Sequence, residues 1–147
     1  RAEGIWKFLS SFSGGAGNFH DTQETIHEIQ SAVIAKLAHE GPCVILGRCA
    51  DVILKSEGID CLNVFIYGDD VHRAARVGEL IGTTDADEIQ KAMNRKDENR
   101  HYFYSHMTGR KWGDSRNYHL CVDSGLLGYD TCVKLICEAA RAIDEKK

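Results

Sequence analysis

Arginine is the residue type whose placement in this sequence points most directly to chemistry. Gly47 and Arg48 come directly after the apolar run 43–46, which is typical of a strand buried on both faces. A guanidinium at the end of such a strand can hold a phosphate group through two parallel hydrogen bonds. The preceding glycine lets backbone approach a ligand closely. The alternative is a structural arginine that caps a helix or pairs with a carboxylate.

A second pair of arginines, Arg73 and Arg76, lies in a predicted helix that follows the next apolar strand. Their spacing of three residues places both side chains on one helix face, where they could bind one anion. The alternative is a solvated face on which Asp69 and Asp70 balance their charge.

A third group lies in the charged run 95–100 of a long predicted helix. Asp97 and Arg100 are three residues apart and can pair, whereas Arg95 and Arg100 lie on different faces. Charge runs on helices are usually solvated. This run leads into the aromatic stretch 101–104, and a helix with both features often covers a site.

Several other kinds of site are not supported by the sequence. The seven histidines form no recognised metal-ligand spacing, and no G-x-S-x-G nucleophile motif is present. The glycine-rich stretch 13–17 lacks the lysine and the Ser or Thr of the phosphate-binding motif G-x-x-x-x-G-K, so it is predicted to be a flexible loop. We therefore predict no metal site made by protein side chains.

Length and composition predict one α/β domain over residues 1–147, irregular over residues 1–20. The net charge of −4 argues against a general nucleic-acid binder, although a local basic pocket for phosphates remains compatible with it. No stretch reaches the length of a membrane-spanning helix, and no secretory pattern opens the sequence. The six cysteines fall mostly in apolar patterns without a C-x-x-C pair, so we expect reduced thiols and a cytoplasmic protein.

Apolar periodicity and turn residues predict strands that alternate with helices, and therefore a parallel sheet in a three-layer α/β/α arrangement. The expected strands cover 43–46, 62–67 and 118–122, and the expected helices cover 21–41, 50–54, 70–81, 84–107 and 130–142. In such sheets ligands bind beyond the carboxyl ends of the strands. That rule points to residues 47–48, 68–69 and 123–124.

The order of these features resembles that of the cytidylate-kinase-like family, relatives of bacterial cytidylate kinase within the nucleoside monophosphate kinases. The most specific likeness is the stretch with Asp97, Arg100, Thr108, Gly109 and Trp112, which resembles the family pattern D-x-x-R, then Y, then T-G-x-x-W. Further segments are similar to family strands, to the arginine-bearing helix and to the closing loop: 42–48, 64–67, 69–77, 117–120 and 124–128. The resemblance spans about residues 21–147.

The resemblance implies roles for the arginines. Arg48, next to Gly47, would hold the phosphate of the acceptor nucleotide. Arg76, together with Arg73, would lie at the base of a mobile lid over the triphosphate.

On the long helix, the resemblance implies that Arg100 reaches the transferring phosphoryl group and that Asp97 holds it in place. Arg95 would also contact substrate, although its spacing to Asp97 departs from that in cytidylate kinases.

The resemblance further implies ATP-dependent phosphoryl transfer to a small acceptor, with CMP as the default acceptor and ATP and Mg²⁺ as the cofactors. Family members open with a strand, a glycine-rich P-loop and its helix, and this sequence starts after that point. We therefore expect a P-loop nucleotide-kinase-like fold without its first strand and P-loop, and a phosphotransferase if a P-loop precedes residue 1. The alternatives are a nucleotide-binding or regulatory module without catalysis, and an interaction domain whose arginines are structural.

Overall fold

The computed structural model describes the backbone of residues 19–145 and the side chains of residues 25–145. The predicted loop at 13–17 therefore lies outside the described residues. The chain divides into two compact units between Ile59 and Asp60, and each is described by itself. Within the described part, no helix is long and apolar enough to cross a lipid bilayer.

The first unit contains two described helices, α1 (Phe19–Glu40) and α2 (Ala50–Ser56). The predicted helices at 21–41 and 50–54 are thus confirmed, although α1 begins before Asp21. The helices pack against each other around Ile34, Ile53 and Leu54, which are all buried. The core uses only part of the apolar face of α1, because Ile26 and Leu37 are 48% and 45% exposed.

A left-handed turn precedes α2. Gly47, Arg48 and Cys49 have φ angles of 67°, 59° and 57°. For a residue with a Cβ this conformation costs roughly 1–2 kcal/mol, so Arg48 and Cys49 hold strained backbone. Burial of Cys49 raises the pKa of its thiol to about 11, and the Asp51 carboxylate acts in the same direction.

The predicted buried strand at 43–46 is wrong. These residues form no strand, and the side chains of Val44 and Leu46 are 92% and 88% exposed. A strand requires a hydrogen-bonded neighbour. No such neighbour pairs with this segment among residues 19–145.

The second unit contains a parallel pair of strands, β1 (Val64–Tyr67) and β2 (Leu120–Asp123). The chain between them forms α3 (Asp70–Ile81), α4 (Ala86–Thr108) and a 3-10 turn (Ser115–Asn117), and α5 (Ser124–Leu127) and α6 (Tyr129–Asp144) follow β2. Val64 is paired with Leu120, and Tyr67 with Asp123, so the two strands end side by side. The predicted α/β class with a parallel sheet is confirmed as a helix-rich unit whose described sheet has two strands.

The helix boundaries follow the expected capping chemistry. Asp69 caps α3, and Gly82 and Gly109 end α3 and α4 in left-handed conformations. The cap of α4 is Asp85, whose carboxylate accepts a hydrogen bond from the Glu88 backbone N–H, so the helix begins at Ala86 and not at the predicted residue 84.

The core of the second unit is small. Met93, Tyr104, Val122 and Cys132 are its most buried apolar residues. Helices α3 and α4 approach closely at Gly78, where an added Cβ would lie 3.0 Å from an Ile89 side-chain carbon. Space between α3 and α4 is therefore limited at this point.

Helix α6 is more exposed than its apolar pattern predicts. Val133 and Leu135 are 58% and 41% exposed. Cys132 is buried and α6 contacts β2, but the apolar face of the helix is wider than a two-stranded sheet can cover.

Aromatic packing fixes the segment between α4 and β2. Phe65 of β1 contacts the Trp112 ring edge-on at 5.3 Å and the Tyr118 ring at 4.9 Å between centroids. Gly113 has a φ of 77°, and an added Cβ would lie 3.3 Å from Phe65 Cζ. The stretch from Gly109 to Tyr118 is therefore held against β1 by aromatic contacts. A side chain at position 113 would crowd the Phe65 ring in this arrangement.

This packing predicts that Gly113→Ala destabilises the protein more than Gly82→Ala. Both positions have left-handed backbone, which costs an alanine roughly 1 kcal/mol, but Gly82 has open space around it and Gly113 faces Phe65. Denaturant unfolding of the two variants measures the difference. Equal losses of unfolding free energy would show that the Phe65 contact does not limit this position.

The cysteine environments predict selective alkylation of the native protein. All six thiols are unpaired with one another: Cys43, Cys121 and Cys137 are exposed, Cys61 is half-buried, and Cys49 and Cys132 are buried. The raised pKa of Cys49 reduces its thiolate population about 100-fold, so this thiol should react last. Timed labelling with peptide mass spectrometry checks the order, and rapid labelling of Cys49 before unfolding would contradict it.

Candidate functional site

The carboxyl ends of β1 and β2 are joined by a side chain. Ser124, only 8% exposed, donates a hydrogen bond from Oγ to the Tyr67 carbonyl oxygen at 2.9 Å. This bond holds the two strand ends together at the edge where parallel sheets bind ligands.

The two carboxylates at this edge cap helices. Asp69 Oδ1 accepts from the His72 backbone N–H at 2.8 Å, and Asp123 Oδ1 accepts from the N–H groups of Gly125 and Leu126 at 2.9 and 3.1 Å. These bonds satisfy the first amides of α3 and α5. Both aspartates therefore have structural roles here.

A cavity of about 260 Å³ lies beside the strand ends and is bounded by α3 and α4. Among the charged side chains that line it, Asp97 is the one carboxylate, against four cations: Arg73, Arg76, Lys96 and Arg100. The excess of positive charge suits an anion with several oxygens, such as a phosphate group.

Asp97 connects two of these cations. Its Oδ2 accepts a hydrogen bond from Arg73 Nη2, and its Oδ1 accepts one from Arg100 Nη1 at 3.1 Å. The expected local pairing of Asp97 with Arg100 is present. The contact with Arg73 joins α3 to α4 and could not be predicted from spacing along one helix. A partly buried carboxylate shared by two guanidiniums fixes the directions in which both point.

Arg76 has a different environment. It pairs with Glu79 on the same helix at 3.0 Å, and both side chains are mostly exposed. Such surface pairs contribute about 0–1 kcal/mol, so Arg76 can exchange Glu79 for a bound anion at little cost.

His72 adds a polar atom to the cavity lining. Its Nε2 is shielded from solvent and has no hydrogen-bond partner among the described residues. Its ring lies 5.9 Å from the Tyr129 ring. A buried nitrogen without a partner is unfavourable, so a polar group of a ligand or a water would find a favourable contact here.

Some of the sequence-predicted site residues lie together in the structure and others do not. It brings Arg73, Arg76, Asp97 and Arg100 to one cavity. Arg95 is exposed on α4 and is not among the residues that line the cavity. Gly47 and Arg48 belong to the first unit, and their contact with substrate stays a prediction.

Sequence reasoning gave no role to Lys96 or His72 and indicated Ser124 only as part of the strand-end position 123–124. Ser124 lies directly after β2, a position that the strand-end rule does indicate. Lys96 was one member of a charged run, and only the packing of α3 against α4 shows which members of that run face the cavity.

The described residues do not fit a magnesium site of their own. Among residues 25–145, no three His, Cys, Asp or Glu side chains are grouped to hold a metal ion. Mg²⁺ is usually held by one or two carboxylates together with substrate phosphates. Both oxygens of the one carboxylate in the cavity are already engaged by arginines.

The solved structures include a related protein. A crystal structure of an uncharacterized protein from Eubacterium ventriosum shares 32% sequence identity with this chain and superposes with a TM-score of 0.74. The match covers 80% of this chain and 65% of that one, so this chain spans about two thirds of the length of the matched protein. A comparison with curated proteins found no match.

A family model covers most of this chain. The model of the cytidylate kinase-like family matches residues 2–126, which include both strands, α3, α4 and the whole of the Gly109–Tyr118 segment. The chain therefore belongs to the cytidylate kinase-like family.

Proposed function

We propose that this protein transfers a phosphoryl group from ATP to a small acceptor, a nucleoside monophosphate such as CMP. The observation that carries the proposal is the cavity lined by four cations and by Asp97 at the carboxyl ends of two parallel strands. Family membership supports a kinase-like, nucleotide-related role.

In the proposed reaction, a phosphate oxygen of the acceptor attacks the γ-phosphorus of ATP. The bond from that phosphorus to the β,γ-bridging oxygen breaks, and ADP leaves with the bonding electrons. Such a transfer depends on positioning and charge stabilisation more than on covalent help from the protein. A cluster of guanidinium groups supplies both.

Each described residue has a distinct proposed part. Arg100 contacts the transferring phosphoryl group, and Arg73 binds the same anion from α3. Asp97 positions both guanidiniums. Arg76 binds the triphosphate after leaving Glu79, and Arg48 of the first unit holds the phosphate of the acceptor.

The complete family fold is part of this proposal. A three-layer α/β/α arrangement with a P-loop would cradle the β- and γ-phosphates of ATP and would provide a binding place for Mg²⁺, which the described residues do not. The family resemblance supports this part, and the described sheet supplies two of its strands.

A second candidate function is nucleotide binding without turnover. It is favoured by the engagement of both Asp97 oxygens and by the lack of a metal-holding group within residues 25–145. ATP-dependent conversion of CMP to CDP by the full-length protein distinguishes the two candidates. Nucleotide binding without product would support the second.

We expect Arg100→Ala to weaken binding of ATP and of tripolyphosphate about 10- to 100-fold, because a charge-assisted hydrogen bond contributes about 1.5–3 kcal/mol. Turnover should fall further, by about 10³-fold, if this guanidinium stabilises the transferring group. Calorimetry and a coupled ADP assay measure the two effects.

The matched control is Arg141→Ala. Arg141 pairs with Glu138 three residues earlier on α6, just as Arg100 pairs with Asp97, and it does not line the cavity. If the Arg141 and Arg100 variants bind tripolyphosphate equally well, the arginine at position 100 is structural and the proposed site is wrong.

We expect Asp97→Asn to separate binding from turnover. The substitution removes the one negative charge of the cavity lining, so tripolyphosphate should bind as tightly as before or more tightly. Loss of the shared anchor should misplace Arg73 and Arg100 and lower kcat by about 10²-fold. Glu138→Gln is the matched control, and a parallel loss of phosphate binding and kcat would contradict the positioning role.

A further inference from the structure

A second depression lies on the neighbouring face of α4. It is open to solvent, has a volume of about 690 Å³, and includes Tyr102, His106 and Trp112 in its lining. We name these three residues the aromatic ledge. The rings of Tyr102 and His106 are one helical turn apart and nearly parallel, with 5° between their planes and 5.6 Å between their centroids.

The residues of the aromatic ledge differ in their environment: Trp112 is packed against the sheet, whereas Tyr102 is exposed. Trp112 is anchored edge-on against Phe65 of β1, so its position follows the sheet. Tyr102 is 64% exposed on the helix surface. An exposed ring pair beside an anchored indole presents flat aromatic surface that the core of the second unit does not use.

The ledge adjoins the cation cluster. Asp97 lines both depressions, and the Arg100 guanidinium carbon lies 6.0 Å from the centroid of the Trp112 ring while its Nη1 pairs with Asp97. A ligand bound across Arg100 would therefore meet phosphate-binding groups on one side and aromatic rings on the other.

A nucleotide combines these two chemistries in one molecule. Its base stacks on aromatic side chains with roughly 1–3 kcal/mol per base, and its phosphate needs cations close by. The Glu98 carboxylate at the rim of the depression can accept a hydrogen bond from an exocyclic amino group of a base.

We propose that the aromatic ledge is a nucleobase-binding site, on which the base of a nucleotide stacks while its phosphate lies at the Arg73–Asp97–Arg100 cluster. This inference rests on the proposed function, because it assumes that the cluster binds phosphate. It adds the surface that recognises the rest of the ligand.

The test compares each nucleotide with a counterpart that lacks the base, using calorimetry on the full-length protein. The pairs are CMP with ribose 5-phosphate, which lacks only the base, and ATP with tripolyphosphate, which lacks the ribose as well. For at least one pair, we expect the base to improve affinity about 10-fold or more in the wild type, in line with stacking of roughly 1–3 kcal/mol. Tyr102→Ala should remove that advantage and leave the affinity for the base-free ligand unchanged.

The conservative variant Tyr102→Phe keeps the ring and should retain the advantage. A second readout uses Trp112, because the sequence contains two tryptophans, Trp6 and Trp112. In a Trp6→Phe background, the nucleotide should quench the Trp112 fluorescence and ribose 5-phosphate should not.

The outcomes separate this inference from the proposed function. If Arg100→Ala weakens binding of ATP and tripolyphosphate while Tyr102→Ala changes the affinity for none of the four ligands, the phosphate site stands and the ledge inference is overturned. In that case the Tyr102–His106 stack is only a helix-stabilising contact. If Arg100→Ala changes the affinity for none of the four ligands, the proposed phosphate site is wrong. If the gain in affinity from the base still depends on Tyr102 in that case, the ledge binds bases. Absence of any base advantage in the wild type also overturns the ledge.

Discussion

The geometry of the second unit depends on one carboxylate shared by two guanidiniums. Asp97 accepts hydrogen bonds from Arg73 on α3 and from Arg100 on α4, and so it links two helices that otherwise meet through small apolar contacts around Gly78. Removing one partner from a partly buried ionic network leaves charge without compensation, which gives such a network a strong preference for one arrangement. The same hydrogen bonds keep the positively charged side chains of Arg73 and Arg100 close together in the absence of a bound anion.

This constraint explains why the cavity combines strong charge with modest burial. Asp97 and Arg73 are each about one-third exposed, so water still screens their interaction and the pair contributes less to stability than a fully buried pair would. Under the proposed function, an incoming phosphate would compete with Asp97 for the two guanidiniums. The adjoining strand ends are held by Ser124 and by the helix caps at Asp69 and Asp123, which are bonds separate from those of Asp97.

Sequence reasoning succeeded where local chemistry decides the outcome. The bounds of α3 agree with the predicted helix at 70–81, which Asp69 caps and Gly82 ends, and the Asp97–Arg100 pair follows from a spacing of three residues. Sequence reasoning failed where the structure depends on contacts with residues that are distant in sequence. The apolar residues 43–46 have the composition of a buried strand but no ladder partner in the described part of the chain, and the apolar residues of α6 exceed the sheet surface available to them. Tertiary packing was also needed to identify the contact between Arg73 and Asp97 and the position of Lys96 in the cavity lining.

The left-handed turn at Gly47, Arg48 and Cys49 places an arginine where another residue would be less strained. Glycine, or asparagine to a smaller extent, adopts the φ of 59° found at Arg48 without the strain that arginine bears. A selection that rewarded thermal resistance alone would therefore replace this arginine early, whereas a selection for catalysis would keep it only if its guanidinium serves the reaction. Because arginine is strained at this turn, its fate in laboratory evolution is informative. If Arg48 is retained under selection, its side chain has a function besides supporting the fold.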